Sequence, residues 1–234
     1  MKNCIGIIIQ SRLTSNRFPK KVIKKINGLS VSEILFKRIQ KSKSIKKIIF
    51  AIPSNSKNDF LYNHLKSIGA TVFRGSEKNV LQRYYFAAKN NKINIIIRIT
   101  GDCPLSDPKI IDKMISIYLK EKLDYLSTSP SAFPEGFDVE IFSFQTLKNV
   151  YFKSKINYDF EHVTSYIRRN RSKFKIKEIN YNTNYKLDNS LIKLSIDTKK
   201  DLKKIKEIFN YFEPNIFFSI DDISFSFSSS LRLD

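Results

Sequence analysis

The stretch IGIIIQSRLTSNRFPKKVI, residues 5–23, contains the two features that decide the fold. Its apolar, β-branched beginning predicts a strand buried on both faces of a sheet. A basic, hydroxyl-rich loop follows at once, and open α/β sheets bind polyanions beyond the ends of their strands. The loop has no glycine, unlike a Walker A or dinucleotide-binding loop, so side chains would hold a phosphate. A solvated basic surface loop is the alternative interpretation, and its cations are Arg12, Arg17, Lys20 and Lys21.

Strand and helix patterns alternate along the first half of the chain. Apolar runs at 46–52, 71–73, 94–99 and 124–126 predict four more strands, separated by segments of helical periodicity. This alternation predicts an α/β fold of three layers, α/β/α, with a mostly parallel sheet. The ligand site is then expected at the carboxyl ends of the strands.

The second half is less regular. Ser32 is expected to cap the helix that ends near Ile39, and Thr198 to cap the last helix of the chain. The Ser/Phe-rich tail at 224–230 permits no structural prediction. The remaining patterns predict strands at 139–142 and 192–196 and helices at 144–152, 160–169 and 201–212.

Composition bounds the class of protein. A chain of 234 residues, 41% hydrophobic and 27% charged, has the composition of one folded domain. We find neither an apolar run long enough for a membrane span nor a signal-peptide pattern. Cys4 and Cys103 are expected to be reduced thiols, so the predicted location is cytoplasmic.

The net charge of +20 raises a different class, a non-catalytic nucleic-acid-binding protein. The lysines, however, are spread over every predicted helix and are not gathered into one stripe. A compositional bias accounts for such a distribution better than a binding patch does. Nucleic acid is therefore not the expected partner.

Two carboxylates are predicted at strand ends on the same side of the sheet as the basic loop. Asp102 lies in RITGDCPL, residues 98–105, and Asp197 follows the apolar run at 192–196. Mg²⁺ bound to a triphosphate takes one or two carboxylates as further ligands, so the pair predicts a metal and phosphate site. Taken alone, Asp197 has a simpler interpretation as the N-cap of a helix.

Glycine is scarce, with six residues in the chain. Gly75 and Gly101 each follow a predicted strand on the expected site edge. Such positions indicate either close approach of the backbone to a ligand or a positive φ, and an ordinary strand-ending turn is the alternative.

Several motifs resemble those of the CMP-sugar synthetases, the cytidylyltransferases that activate acidic sugars such as 3-deoxy-manno-octulosonate. The likeness is greatest to the polysaccharide-biosynthesis branch typified by the spore-coat protein. The first motif matches at Arg12, Ser15, Arg17, Pro19 and Lys21, although the family usually has Gly where this chain has Lys20. The branch usually has Arg where this chain has Phe160. The other matching stretches lie at 72–84, 98–105, 135–140, 161–164 and 196–202.

The resemblance implies a single nucleotidyltransferase domain over 1–234 with the nucleotide-diphospho-sugar transferase fold, which is Rossmann-like. It implies transfer of CMP from CTP to an acidic sugar, with release of pyrophosphate and with Mg²⁺ on Asp102 and Asp197. Those two residues, Arg12 and Lys21 would be catalytic. Another nucleoside triphosphate or a sugar phosphate is the alternative substrate. The nucleotide would contact Gln10, Ser11, Arg12, Ser15, Arg17, Lys21, Arg74, Thr100, Gly101 and Asp102, and the sugar Asp138, Glu140, Glu161 and His162.

Two of these sugar-side residues have plainer interpretations. His162 is a lone histidine on a predicted helix, where a structural role is commoner than a catalytic one. Glu140 could be only a charge at the edge of a strand, with Asp138 serving in its place.

Aromatic residues crowd the irregular segment 129–180. Rings are favoured at stable interfaces, and synthetases of this family are typically homodimers with a comparable insertion. We therefore predict a two-fold homodimer built mainly from this segment. Alternatively, the rings complete the core of the monomer. They are Phe133, Phe137, Phe142, Phe144, Tyr151, Phe152, Tyr158, Phe160 and Tyr166.

Overall fold

The computed structural model describes residues 4–180 and 193–229. Within them, seven strands form one central sheet and two short strands form a hairpin. The sheet strands are β1 (Ile5–Gln10), β4 (Lys47–Pro53), β5 (Thr71–Gly75), β6 (Ile95–Thr100), β7 (Tyr125–Thr128), β8 (Glu140–Ser143) and β9 (Ile176–Ile179), and the hairpin is β2 (Lys25–Ile26) with β3 (Leu29–Ser30). Their order across the sheet is β5-β4-β1-β6-β8-β7-β9.

The regular half of the sheet is parallel. β1 lies at its centre and pairs in parallel with β4 on one side and β6 on the other, and β5 pairs in parallel with β4. Ile7, Ile8 and Ile9 are fully buried, as a strand covered on both faces requires. The predicted mostly parallel sheet is confirmed.

The second half of the chain completes this sheet. β8 inserts antiparallel between β6 and β7, and β9 pairs in parallel with β7. The prediction of a strand at 192–196 is wrong for its described part, because Lys193 makes only an isolated bridge to Glu135. The buried residues that follow lie in a loop. Position 192 lies outside the described residues.

Helices cover both faces of the sheet. They are α1 (Val31–Ile39), α2 (Asp59–Ser67), α3 (Val80–Asn90), α4 (Pro108–Glu121), α5 (Phe144–Lys153), α6 (Asn157–Glu161), α7 (Ser165–Arg169), α8 (Lys199–Tyr211) and α9 (Ile220–Ser229). Apolar residues of α1, α2, α4, α8 and α9 pack on one face, and those of α3, α5 and α7 on the other. This arrangement is the predicted three-layer α/β/α fold. The single helix expected at 160–169 is instead broken between α6 and α7.

Two helix predictions at chain positions 30–39 and beyond 212 need correction. Ser30, not Ser32, caps α1, since its side chain accepts a hydrogen bond from Glu33 N–H at 3.0 Å. The helix capped by Thr198 is not the last, because α9 follows it. Arg38 is buried under the segment before α9 and donates to the carbonyls of Phe218 and Leu105. Such long-range contacts leave no local pattern in the sequence.

None of the helices in the described ranges has the length and apolarity needed to cross a membrane.

The loop that leads into α8 is fastened against Gly136. This glycine has φ +108°, and a Cβ built on it would lie 2.6 Å from the carbonyl carbon and oxygen of Leu194. Leu194 N–H also donates to the carbonyl of Glu135 at 2.7 Å. The close crossing fixes where the residues up to Asp197 lie.

Replacing Gly136 with alanine should therefore destabilise the protein strongly. We expect Gly136→Ala to lower the free energy of unfolding by at least about 3 kcal/mol, from the backbone strain and the clash together. Gly28→Ala is the matched control, since Gly28 has φ +83° but no atom within 4 Å of the added Cβ. It should cost only about 1 kcal/mol. Urea unfolding measures both, and equal losses would contradict the close-packing argument.

Candidate active site

A cavity of about 1130 Å³ opens at the carboxyl ends of β1 and β6. The structure brings most of the predicted site residues to its wall. Those that line it are Gln10, Ser11, Arg12, Ser15, Arg17, Lys21, Thr100, Gly101, Asp102, Asp138, Glu161, His162 and Asp197. The basic loop and both carboxylates thus lie at the same edge of the sheet.

The basic loop has a defined path. Lys20 N–H donates to the carbonyl of Leu13 at 2.9 Å, which closes the loop on itself. Asn58 fastens its beginning, since the Asn58 side-chain oxygen accepts from Leu13 N–H at 2.9 Å. Thr14 donates to Glu77 at 2.7 Å. A loop tied down at three points is more than a solvated surface segment, and three of its four cations, Arg12, Arg17 and Lys21, line the cavity.

The backbone of Lys20 adopts a conformation that favours glycine, the residue that the family resemblance leads one to expect there. Its backbone lies in the left-handed region, with φ 59° and ψ 19°, immediately before the 3₁₀ turn Lys21–Ile23. A side chain costs about 1 kcal/mol or more there, and glycine adopts it without strain. The chain keeps the loop path despite the substitution.

We expect Lys20→Gly to raise the free energy of unfolding by up to about 1 kcal/mol, because it removes this strain. Lys24→Gly is the control: Lys24 has an extended backbone with φ −64°, where glycine relieves no strain, loses more chain entropy and gives up the contact of the ammonium with the Phe18 ring at 5.9 Å. It should lower stability by about 0.5–1 kcal/mol. Chemical denaturation measures both variants. Equal destabilisation of the two would contradict the presence of backbone strain at Lys20.

Lys21 is the centre of the site. Its ammonium nitrogen lies 2.5 Å from Asp102 Oδ2 and 2.8 Å from Asp197 Oδ1. Lys21 is 8% exposed. Burial lowers the pKa of Lys21, but the two carboxylates outweigh burial and raise it above its ordinary value. The lysine therefore stays charged at neutral pH and holds both acids in one place.

Asp197 does not cap a helix. Thr198 is the N-cap of α8 and forms a capping box with Asp201, so the alternative interpretation of Asp197 is wrong. Its carboxylate instead contacts Arg17 at 3.0 Å and Lys193 at 2.8 Å, in addition to Lys21. Burial raises the pKa of Asp197, yet hydrogen bonds from the two lysines lower it to about 2. The group is a fixed anion.

The glycines at the ends of β5 and β6 act through packing between protein segments. Neither Gly75 nor Gly101 has a positive φ. A Cβ on Gly101 would lie 2.7 Å from Ser11 Oγ, and one on Gly75 would lie 2.9 Å from the ring of Phe73. The expected close approach is therefore real, but its partners are protein side chains. Gly101 lets the end of β6 touch the start of the basic loop.

The sugar-side residues separate into two groups. Asp138, Glu161 and His162 line the cavity, and the His162 ring packs on Tyr158 with centroids 4.4 Å apart. Buried Asp159 fixes this stretch by accepting hydrogen bonds from Ser165 and Arg169. Glu140 does not reach the cavity wall, so its predicted contact with substrate is not supported.

Arg74 also lies away from the cavity wall. Its guanidinium forms an ion pair with Asp59 at 2.5 Å and donates to the backbone carbonyls of Ser54 and Asn55. The group packs over the Tyr62 ring. These contacts give it a structural role, and this geometry does not support its predicted contact with the nucleotide.

Glu140 is the buried centre of a charge network beside the site. It is 3% exposed and accepts hydrogen bonds from Arg98, Arg168, Tyr125 and Thr164. Burial raises the pKa of Glu140, but the two arginines and the hydroxyl donors lower it to about 2. It is not a charge at the edge of a strand but a paired anion inside the layer formed by α3, α5 and α7.

This pKa predicts an acid-sensitive contribution to stability. Because the pKa of Glu140 is lower in the folded state, the ionised carboxylate stabilises the fold at pH values above its ordinary pKa of 4.5. This stabilisation is lost as the pH falls from 4.5 toward the folded-state pKa of about 2. We expect the gap in unfolding free energy between wild type and Glu140→Gln to narrow by on the order of 3 kcal/mol over that range. Urea unfolding at several pH values tests it, with the surface variant Glu207→Gln as control. A gap independent of pH would contradict it.

Sequence analysis missed part of the cavity wall. Glu77, Lys78, Asn79 and Arg83 line it from the start of α3, and Glu135 and Ser195 from the loops that cross at Gly136. Burial is the largest cause that lowers the pKa of Arg83, to about 10; the nearby positive charge of Arg12 acts in the same sense, and Tyr84 and Glu77 act in the opposite one. Two cations facing one cavity favour an anion between them. The Asn79 cap of α3 was the available signal.

A metal would find two protein carboxylates here. Asp102 and Asp197 both face Lys21, and the described residues contain no group of three or more His, Cys, Asp or Glu able to hold a metal. Two hard oxygen donors suit Mg²⁺ only when the substrate supplies phosphate oxygens as well. The residues present therefore fit a metal that arrives with a triphosphate.

Comparison with known proteins agrees with this geometry. Residues 6–222 match the model of the cytidylyltransferase family. The chain belongs to that family. It is 31% identical over 212 residues to a spore coat polysaccharide biosynthesis protein of Bacillus subtilis, covering 88% of this chain and 87% of that one. Over 116 residues it is 27% identical to the 3-deoxy-manno-octulosonate cytidylyltransferase of Chloroherpeton thalassium, covering 49% and 46% of the two chains.

A solved cytidylyltransferase from Leptospira borgpetersenii superposes with a TM-score of 0.90. It is 32% identical, and the match covers 97% of this chain and 94% of that one. The cytidylyltransferase family thus confirms the resemblance seen in the sequence and makes this chain a nucleotidyltransferase. The alternative of a non-catalytic nucleic-acid-binding protein is not supported.

Proposed function

We propose that this cytidylyltransferase transfers CMP from CTP to an acidic sugar and releases pyrophosphate, in the biosynthesis of a surface polysaccharide or glycan. The observation that carries the proposal is the convergence of Lys21, Asp102 and Asp197 beside the basic loop in a member of this family. The spore-coat and 3-deoxy-manno-octulosonate relatives support the polysaccharide role and the acidic sugar.

The chemistry asks the protein for alignment and charge neutralisation. A sugar hydroxyl attacks the α-phosphorus in line, the bond to the β-phosphate breaks, and pyrophosphate leaves. Arg12, Arg17 and Lys21 are suited to bind the phosphates and to stabilise the charge that grows on pyrophosphate. Asp138, Glu161 and His162 lie on the wall where the sugar would be oriented.

Mg²⁺ is the expected cofactor, with Asp102 and Asp197 as its protein ligands. When bound, such an ion neutralises charge on the phosphates and orients them. Lys21 contacts both of these carboxylates, so its ammonium lies beside the residues that would hold the ion.

The reaction can be tested by pyrophosphate release from each of the four nucleoside triphosphates with Mg²⁺. A panel of acidic sugars and sugar phosphates as acceptors separates the proposed reaction from its alternatives. We expect CTP with an acidic sugar to be the productive pair. Turnover only with another triphosphate or only with sugar phosphates would replace this substrate assignment.

Asp102→Asn should reduce turnover by at least about a hundredfold, because it removes the charge that faces Lys21 and the metal. The fold should persist, since Lys21 keeps Asp197 as its partner. Glu121→Gln is the control, because Glu121 pairs with Lys177 away from the cavity and its loss should leave turnover unchanged. Full activity of Asp102→Asn would remove Asp102 from the mechanism.

We also propose a homodimer. The alternative of a monomer core accounts for seven of the nine aromatic residues named in 129–180. Three are buried, Phe133, Phe137 and Phe142, and four are partly buried against the core, Phe144, Tyr151, Phe160 and Tyr166. Phe152 and Tyr158 remain 65% and 58% exposed, and Ile156 between them is 47% exposed. An exposed apolar patch of this kind is suited to an isologous contact.

Sedimentation at micromolar concentration tests the dimer, and the chain offers a matched pair of variants. Phe152→Ser should shift the protein toward monomer mass, because it removes an apolar anchor from the patch. Phe60→Ser should not, although Phe60 is 64% exposed, because it lies on α2. A wild type that sediments as a monomer at physiological salt would rule out the stable dimer.

The expected location is the cytoplasm. Cys4 and Cys103 are both free thiols, which suits a reducing compartment.

A further inference from the structure

Gln10, at the end of β1, is bound on one side only. Arg98 Nη2 donates to the Gln10 side-chain oxygen at 3.1 Å. A guanidinium has donors and no acceptor, so the amide oxygen must face Arg98. The Gln10 NH₂ group consequently faces away from Arg98. Gln10 lines the cavity, and this NH₂ group has no hydrogen-bond partner among the residues that the structure describes.

Arg98 is itself held by the buried network. It lies opposite Glu140 in the register of β6 and β8, and the Glu140 carboxylate accepts from its Nη1. Glu140 is already paired with Arg168 at 2.6 Å and bound by Thr164 at 2.7 Å. Two guanidiniums around one carboxylate leave a net charge of +1 beneath Gln10. Arg98 is therefore more than the counter-ion of Glu140.

We propose that Arg98 is a positioning residue that fixes the Gln10 amide with its NH₂ group toward the cavity, where it donates to an anionic oxygen of a substrate. A hydrogen bond accepted from a charged group polarises the amide and strengthens its other donor. The inference rests on the proposed function for the identity of the substrates. The oxygen belongs either to the carboxylate of the sugar or to a phosphate of CTP.

Steady-state kinetics distinguish these two sources. Gln10→Met keeps the length of the side chain and removes its donor, so KM should rise roughly tenfold to a hundredfold for one substrate. A rise in KM for the sugar identifies its carboxylate, and a rise for CTP identifies a phosphate. Unchanged KM values for both would overturn the proposal.

A double-mutant cycle tests whether Arg98 acts through Gln10. Arg98→Lys keeps a positive charge opposite Glu140, so no buried carboxylate is left unpaired. It removes the rigid guanidinium fork in which Nη1 binds Glu140 and Nη2 binds Gln10, so the orientation of Gln10 is no longer fixed. It should raise the same KM by at least about threefold in the wild-type background and add nothing in Gln10→Met. Independent, multiplying effects would show a merely structural role and overturn the proposal.

Arg168→Lys is the matched control, because Arg168 pairs with the same carboxylate and makes no contact with Gln10. It should lower the melting temperature without changing either KM by more than about twofold. If Arg168→Lys raised KM as much as Arg98→Lys does, general disturbance of the Glu140 network would explain both, and the proposal would fail.

Side-chain amide NMR separates failure of this inference from failure of the proposed function. The Gln10 NH₂ signals, identified by their loss in Gln10→Met, should shift in Arg98→Lys and stay in place in Arg168→Lys. They should also shift when either CTP with Mg²⁺ or 3-deoxy-manno-octulosonate is added. If the enzyme turned over neither substrate, the proposed function would be refuted. The Gln10 NH₂ signals would still show whether Arg98 fixes the orientation of the Gln10 amide. Absence of the Arg98→Lys shift, or of a response to both ligands, overturns the inference.

Discussion

The ammonium of Lys21, shared between Asp102 and Asp197, is the interaction on which the site depends. Asp102 lies 81 positions from Lys21 in the sequence, and Asp197 lies 176 positions from it. A buried charge that loses its partner is costly, so the basic loop, the end of β6 and the start of α8 must assemble together. Charge pairing thus couples the first motif of the chain to one of its last.

The backbone makes this pairing possible by close approach. Ile196 N–H donates to the Asp102 carbonyl at 2.9 Å, which sets the two carboxylates side by side. Gly101 gives room to Ser11, and Gly136 gives room to the backbone of Leu194 and Ser195. A chain with six glycines therefore uses two of them where segments cross at the site. The charged side chains converge because the backbone beneath them carries no Cβ at these crossings.

The sequence was most informative where one local pattern decides the structure. The apolar run at 5–9 predicts a strand buried on both faces, and the alternation that follows predicts the layers. It failed where distant contacts decide. The apolar run before Asp197 is buried as a loop because it packs on Gly136, and α9 is anchored by Arg38, far away in the chain.

The same distinction applies to the site residues. Positions that follow strands reach the cavity because the sheet brings all carboxyl ends to one edge. Arg74 lies near the end of β5 and Glu140 begins β8, but Asp59 and Arg98 bind their side chains away from the cavity wall. Periodicity predicts which face a residue occupies, whereas the partner that captures a charged side chain depends on the assembled fold. The start of α3 lies in the matching stretch 72–84, but no local pattern in the sequence shows which of its charged residues face the cavity.

The large net charge and the charge of the site are separate matters. Most of the lysines in the described ranges are exposed, in loops as well as on helices, and salt screens their charges. The cations at the cavity differ in being pre-positioned: Lys21 by two carboxylates, Arg17 by Asp197, and Arg83 by its burial and its bond to the Ser76 carbonyl. Arg12 has no ion-pair partner in the described part of the chain and lies near Arg83. A polyanion that enters the cavity relieves the repulsion between Arg12 and Arg83. Because most of the cations are already held in place, little entropy is lost in ordering them. The local arrangement of charges, and not the net charge of +20, therefore equips the cavity for a triphosphate.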